Sequence, residues 1–212
     1  MSHGARVEQI QSGLVRGFLH LPDEPSGSGF VLAHGAGSNA SAPILVAAAQ
    51  FLAAQGSAVL RIDLPFRQKR PHGPPFPAMA EEDRRGIDEA AALMRQYASG
   101  AVSIGGHSYG GRQASMLAAD KPGVASRLLL FSYPLHPPAK PSQLRTAHFG
   151  RLTTPALFVH GSKDGFGTIE EITKALTEIP AHTECLPIEG AGHDLRAGKI
   201  DWPTVWDRLA AL

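Results

Sequence analysis

The side chains best suited to chemistry are Ser108, Asp164 and His193, three residue types that together can make an alcohol nucleophilic. Serine at its free pKa attacks poorly and needs a general base. A histidine base in turn needs a carboxylate to fix its tautomer and to stabilise the imidazolium that forms. Ser108 is the centre of Gly106-His107-Ser108-Tyr109-Gly110, a G-x-S-x-G pattern. The apolar, β-branched run before it (Val102, Ile104) reads as a buried strand, and Arg112 to Ala119 after it reads as a helix. A serine on so sharp a strand-to-helix turn has strained backbone and crowds the residues two positions away, which is what Gly106 and Gly110 relieve.

His193 is the expected base, because it follows the last expected strand in a glycine-rich loop, Gly190-Ala191-Gly192-His193. Asp164, in Gly161-Ser162-Lys163-Asp164 after the preceding strand, is the expected acid. Glu189 is the runner-up, Asp63 precedes the serine and is expected to order the loop after it, and Asp194 adjoins the base too closely to reach its ring. A tetrahedral intermediate also needs two preorganised donors for its oxyanion. The backbone N–H of Tyr109 is one; Ala36, in His34-Gly35-Ala36-Gly37, is the first choice for the other and Gly37 the second. His34 is expected to brace that glycine loop, His160 to be structural and His107 to point away from the nucleophile, while His136 is open to facing a pocket.

The elements that must position these groups alternate. Residues 6–11 and 14–21 around Ser12-Gly13 read as an antiparallel hairpin. Strands are expected at Phe30–Ala33, Ala58–Asp63, Ala101–Gly105, Leu128–Phe131, Ala156–His160 and 183–188. Helices are expected at Pro43–Gln55, Glu81–Tyr97, Ile169–Leu176 and Trp202–Leu212 besides the one after Ser108. Leu64–Met79 and Leu135–Arg151, both proline-rich, read as long loops within the domain. This alternation predicts a doubly wound α/β domain with a mostly parallel sheet, in which ligands bind beyond the carboxyl ends of the strands. His34, Asp63, Ser108, Tyr133, Asp164 and His193 all fall just past such ends.

The chain has 212 residues, enough for one domain spanning 1–212 with one core. Lys+Arg 20 against Asp+Glu 19 gives a formal charge of +1, which argues against nucleic acid or an anionic membrane as partner. The small basic cluster of Arg67, Lys69 and Arg70 reads as a solvated loop or a contact for an anionic substrate group. A single cysteine, Cys185, excludes an internal disulfide and reads as a buried thiol in a strand, compatible with a reducing compartment. No apolar leader opens residues 1–8, and no run is long enough to span a membrane, so a soluble, cytoplasmic protein is expected. Neither a metal nor an organic cofactor is expected.

Taken together, these motifs resemble the small lidless α/β hydrolases related to dienelactone hydrolase. Within them the chain looks most like the bacterial relatives of the testis-expressed and KANSL-type proteins, through Arg61-Ile62-Asp63-Leu64-Pro65-Phe66 and Tyr133-Pro134-Leu135-His136-Pro137-Pro138. The resemblance spans roughly residues 28–200 and implies an α/β-hydrolase fold without a large cap domain, with Ser108, Asp164 and His193 as the triad. Dienelactone hydrolases are similar but use cysteine; a serine here turns the expectation from lactones to ordinary esters or thioesters, taken as small-molecule substrates. Phe66, Tyr133, Leu135 and Phe166 are the candidates to wall a short open pocket for small to medium acyl groups. Two other readings stand beside hydrolysis: a catalytically silent interaction module, and acyl transfer or perhydrolysis by the same residues. No oligomeric state is implied.

Overall fold

The computed structural model describes residues 5–196 and 198–212. Residues 1–4, where the reading of the first segment begins, and residue 197 lie outside the described residues. One eight-stranded sheet organises the chain, with β1 (Arg6–Ser12), β2 (Val15–Leu21), β3 (Gly29–Ala33), β4 (Ala58–Ile62), β5 (Val102–His107), β6 (Leu128–Phe131), β7 (Ala156–Gly161) and β8 (Thr183–Ile188). Their spatial order is β1-β2-β4-β3-β5-β6-β7-β8. The first two strands form the expected antiparallel hairpin and join β4 antiparallel; every pairing from β4 onward is parallel.

Parallel strands require crossovers, which the helices supply. They are α1 (Pro43–Ala54), α2 (Pro65–Lys69), α3 (Ala80–Met94), α4 (Tyr109–Asp120), α5 (Ile169–Leu176) and α6 (Trp202–Ala210). Alternate strand residues serve opposite faces. Leu128 and Leu130 of β6 join a core with Ile87, Ala90 and Met94 of α3, Ala114 and Leu117 of α4 and Ile172 of α5. Leu129 and Phe131 join a second core with Leu45 and Ala48 of α1 and Val205 and Leu209 of α6. Both faces of the inner strands are therefore covered, which is why they read as continuous apolar runs rather than alternating ones. No large cap domain interrupts the sheet, and no described helix is long and apolar enough to cross a membrane.

The segment read as a loop over Leu64–Met79 holds α2 and a 3-10 turn at Pro77–Met79. Pro65 stands in the first turn of α2, where its missing N–H costs nothing, and the proline content concealed the helix. The second long loop likewise contains a 3-10 turn at Phe149–Arg151. Cys185 lies within β8, and burial pushes its thiol up to about 11.

The connection after β3 leads to β4 on one side, while β5 lies on the other side of β3. This reversal of strand order is where the carboxyl ends of a doubly wound sheet leave a crevice. β5 ends there on His107, and α4 starts on Tyr109.

Candidate active site

Between β5 and α4 the chain turns on Ser108, whose φ of 50° lies in the left-handed region that non-glycine residues rarely occupy. The turn presses both flanks against β3. A Cβ on Gly106 would sit 1.9 Å from the Ala33 carbonyl oxygen, and one on Gly110 would sit 2.4 Å from it. Any side chain at either position would push the elbow off the sheet. Ser108 makes no side-chain cap to α4, so its hydroxyl is free for another partner.

That partner is His193. The Ser108 Oγ lies 2.8 Å from His193 Nε2, and His193 Nδ1 lies 2.8 Å from Asp164 Oδ2. The carboxylate accepts the Nδ1 proton, which leaves Nε2 to accept from the serine hydroxyl. Asp164 is fully buried at its side chain, and its other oxygen accepts from the Phe166 N–H at 2.8 Å. The Phe166 ring covers one face of the imidazole, with centroids 4.1 Å apart. Glu189 is engaged elsewhere, accepting from the Ser162 hydroxyl at 3.3 Å, and Asp194 accepts from the Arg196 N–H.

Two further histidines hold this arrangement. His107 Nε2 donates to the His193 carbonyl at 2.8 Å and lines the cavity, so it does not point away from the nucleophile as the sequence reading had it. His160 Nε2 donates to the Gly167 carbonyl at 2.8 Å and stands 3.6 Å from Asp164 Oδ2, bracing the turn that carries the acid. Burial lowers the pKa of both rings and keeps them neutral.

The loop after β3 is held from beneath. Arg67 of α2, only 6% exposed, donates from Nη2 to the carbonyls of Ala36 (2.8 Å) and Gly73 (3.0 Å). Its Nε donates to Ser38 O at 2.8 Å and its Nη1 to Arg70 O at 2.9 Å. His34 accepts at Nε2 from the Leu64 N–H at 3.1 Å and donates from Nδ1 to the Gly35 carbonyl at 2.8 Å, as the expected brace. Burial, the main cause, lowers its pKa to about 4. Asp63 accepts from the Ala40 N–H at 2.8 Å and from Arg16 at 3.2 Å, so it orders the loop after β3 rather than the one that follows it. The basic cluster is therefore not aimed at substrate: Arg67 is a buried clamp, Lys69 is solvent-exposed as read from the sequence and pairs with Glu82 at 2.6 Å, and Arg70 lies over the Phe76 ring.

A cavity of about 730 Å³ opens over the serine. Ala36, Gly37, Ser108, Tyr109, Phe166 and His193 all line it. Phe66, Tyr133 and Leu135 do not, which corrects the expected pocket wall. Phe66 is turned inward by α2 and packs on His34 and Tyr109; its N–H donates to Asp83, which also accepts from the Tyr109 hydroxyl at 2.7 Å. Tyr133 and Leu135 belong to the core beneath, with the Tyr133 hydroxyl donating to Arg145 O at 2.8 Å. His136 lies against Glu171 outside the cavity. The true walls include Pro43, Ile44, Ala47, Ile200 and Trp202 on one side, with Pro134, Arg112 and Arg145 also lining the cavity. The sequence offered one signal for Arg112: four residues after Ser108 on a helix places it one turn along α4.

Residues 26–210 match a protein family described as an alpha/beta hydrolase domain. Among solved structures, dienelactone hydrolase from Anabaena variabilis superposes with a TM-score of 0.72 at 21% identity, covering 99% of this chain and 96% of that one. An alpha-beta serine hydrolase homologue from Coxiella burnetii gives 0.72 at 14% identity, covering 100% and 98%. A serine hydrolase without a lid from Xanthomonas campestris gives 0.71 at 14% identity, covering 100% and 95%. At these identities the likeness is one of fold.

Proposed function

The chain belongs to the alpha/beta hydrolase domain family, and from that premise we propose that it is a serine hydrolase cleaving carboxylic esters or thioesters of small to medium size. One observation carries the reading: the Ser108 hydroxyl, the His193 imidazole and the Asp164 carboxylate form a continuous line of 2.8 Å contacts that opens into a cavity. In the proposed reaction the serine oxygen attacks the substrate carbonyl while His193 Nε2 takes its proton. Asp164 holds the ring by Nδ1 and stabilises the imidazolium. The tetrahedral oxyanion is held by the backbone N–H groups of Tyr109, at the start of α4, and Ala36. Because the peptide is trans, the Ala36 N–H points opposite to the Gly35 carbonyl, which is bound to the buried His34 ring. His193 then returns its proton to the leaving alcohol or thiol, and the acyl group stays on Ser108. Water deprotonated by the same nitrogen releases the acid and restores the serine.

The cavity volume falls within the roughly 300–1,000 Å³ of small-molecule sites, which supports acyl groups of modest length over long lipid chains. The proposal places the enzyme in the cytoplasm, acting on a small molecule without a cofactor in any step. A fluorophosphonate probe tests it: Ser108 of the folded protein becomes labelled and Ser108→Ala does not. Absence of labelling overturns the reading in favour of an interaction module. On an ester series, butanoyl substrates turn over faster than hexadecanoyl ones, and the opposite order overturns the size assignment. Adding competing alcohols and peroxide, with product analysis, separates hydrolysis from acyl transfer and perhydrolysis.

A further inference from the structure

Two arginines line the cavity without a counter-anion. Arg112 stands on α4 one turn from the serine, its N–H donating to the Ser108 carbonyl at 2.9 Å. Arg145 follows β6, its own backbone N–H tied to the Leu135 carbonyl at 2.8 Å and its Nη1 donating to Pro134 O at 3.2 Å. Neither takes part in an ion pair among the described residues, although Arg6, Arg16, Arg151, Arg196 and Arg208 all do. The Arg112 Nε is buried and has no hydrogen-bond partner among the described residues. The two guanidiniums also feel one another: burial first, and then the charge of Arg112, lowers the pKa of Arg145.

Two like charges beside a half-dry cavity repel, and a buried N–H without an acceptor has lost its water for nothing. The repulsion is relieved by one ligand chemistry. A carboxylate offers two oxygens to the planar donor fork of a guanidinium and neutralises the pair. The rest of the cavity is different in kind: Pro43, Ile44 and Ala47 of α1 and Trp202 of α6 present an apolar wall on the other face of the sheet. Ser108 stands at the sheet tip between the two faces.

We propose that Arg112 and Arg145 form a subsite for a carboxylate carried by the substrate, so that the preferred substrates are anionic esters with an apolar portion beyond the reacting carbonyl. This deepens the hydrolase reading and rests on it. Arg196, which also lines the cavity, is not part of the subsite, because it is largely exposed and pairs with Asp194 at 3.5 Å.

Binding to the Ser108→Ala protein, which cannot turn substrate over, tests the subsite separately from catalysis. The probes are the monomethyl and dimethyl esters of malonate, succinate, glutarate and adipate, titrated calorimetrically. The best half-ester binds at least about tenfold tighter than its own neutral diester, as one new charge-assisted pair requires. That excess shrinks at high salt and is lost when Arg112→Gln is added, with Arg145→Gln as the second variant should the first fail to fold. Equal or weaker binding of every half-ester overturns the subsite while leaving the hydrolase reading intact. Failure of fluorophosphonate labelling in the wild-type protein counts against the hydrolase reading alone.

Discussion

At the tips of β7 and β8 polar side chains are aimed at one another and at the cavity; at the tips of β3 and β4 they are aimed at the main chain. Asp164 and His193 leave the first pair of strands and meet Ser108 in a line of hydrogen bonds that ends in open space. His34, Asp63 and Arg67, on or just beyond the second pair, spend most of their hydrogen bonds on carbonyls and amides of the loop over residues 35–42 and of the segment over residues 64–73, with one Asp63 oxygen left to the Arg16 side chain. Residue types overlap, and burial is similar; the direction of the polar atoms differs. The first group can exchange protons with a bound molecule. The second fixes where backbone N–H groups point, which is what an oxyanion site requires of residues that never touch substrate.

The largest consequence of this division falls on Asp164. Asp164→Asn keeps the volume of the side chain but offers an amide where His193 needs an acceptor, so the ring settles in the wrong tautomer. kcat/KM is expected to fall roughly a thousandfold to ten-thousandfold while the urea midpoint moves little. The measurement is esterase kinetics beside equilibrium unfolding on the same preparation. A loss of less than about tenfold would place Asp164 with the scaffold and erase the contrast.

Much of the reacting half was legible in the sequence for a local reason. An elbow is built from residues within five positions, and Gly106 and Gly110 report the close approach to β3 that it demands. Asp164 and His193 were legible because parallel strands return every tip to the same edge of the sheet, so chain order alone brings them together. The clamp was not legible. Arg67 stands among Lys69 and Arg70 like any solvated basic residue, and only the five-residue α2, masked by prolines, turns it beneath the loop. The same turn carries Phe66 into the core instead of the cavity. Tyr133 and Leu135 failed for a related reason: a residue just past a strand can face either the crevice or the layer beneath it, and periodicity does not distinguish the two.

Arg67 is where the clamp can be tested next. Arg67→Met fills much of the same space and leaves four carbonyls without their donor. With these part-buried acceptors losing a charged donor, stability is expected to drop by about 1–3 kcal/mol. kcat is expected to fall roughly ten- to hundredfold, with KM changing less, because the loop that carries the Ala36 N–H is no longer gripped at its Ala36 and Ser38 carbonyls. Arg67→Lys does not restore either quantity, since one ammonium cannot span four carbonyls as a guanidinium does. If stability falls and kcat does not, the clamp holds the fold but not the reaction, and the comparison must be redrawn with the oxyanion loop as mere packing.

The smallest effect separates the clamp by pH. His34 accepts a backbone N–H at Nε2, so protonation would break that bond inside a buried site. Its pKa is lowered to about 4 in the folded protein from the ordinary 6.5. The unfolded chain therefore binds the proton first as the solution is acidified. Stability from this group is complete above about pH 6.5 and is lost as the pH falls from there toward 4. At pH 5 the loss from His34 alone comes to about 2 kcal/mol. His20, buried against Arg61, and His148, hydrogen-bonded to Ser115, are also lowered to about 4 by burial and act in the same direction. Urea unfolding at pH 7 and pH 5 measures the total. In His34→Gln, whose amide cannot titrate, the difference between the two pH values is expected to shrink by about 2 kcal/mol, a single histidine's share. An unchanged difference would show that His34 is protonated as easily in the fold as outside it. In that case the Leu64 N–H is not held by the ring, and the brace from β3 to α2 rests on Arg67 alone.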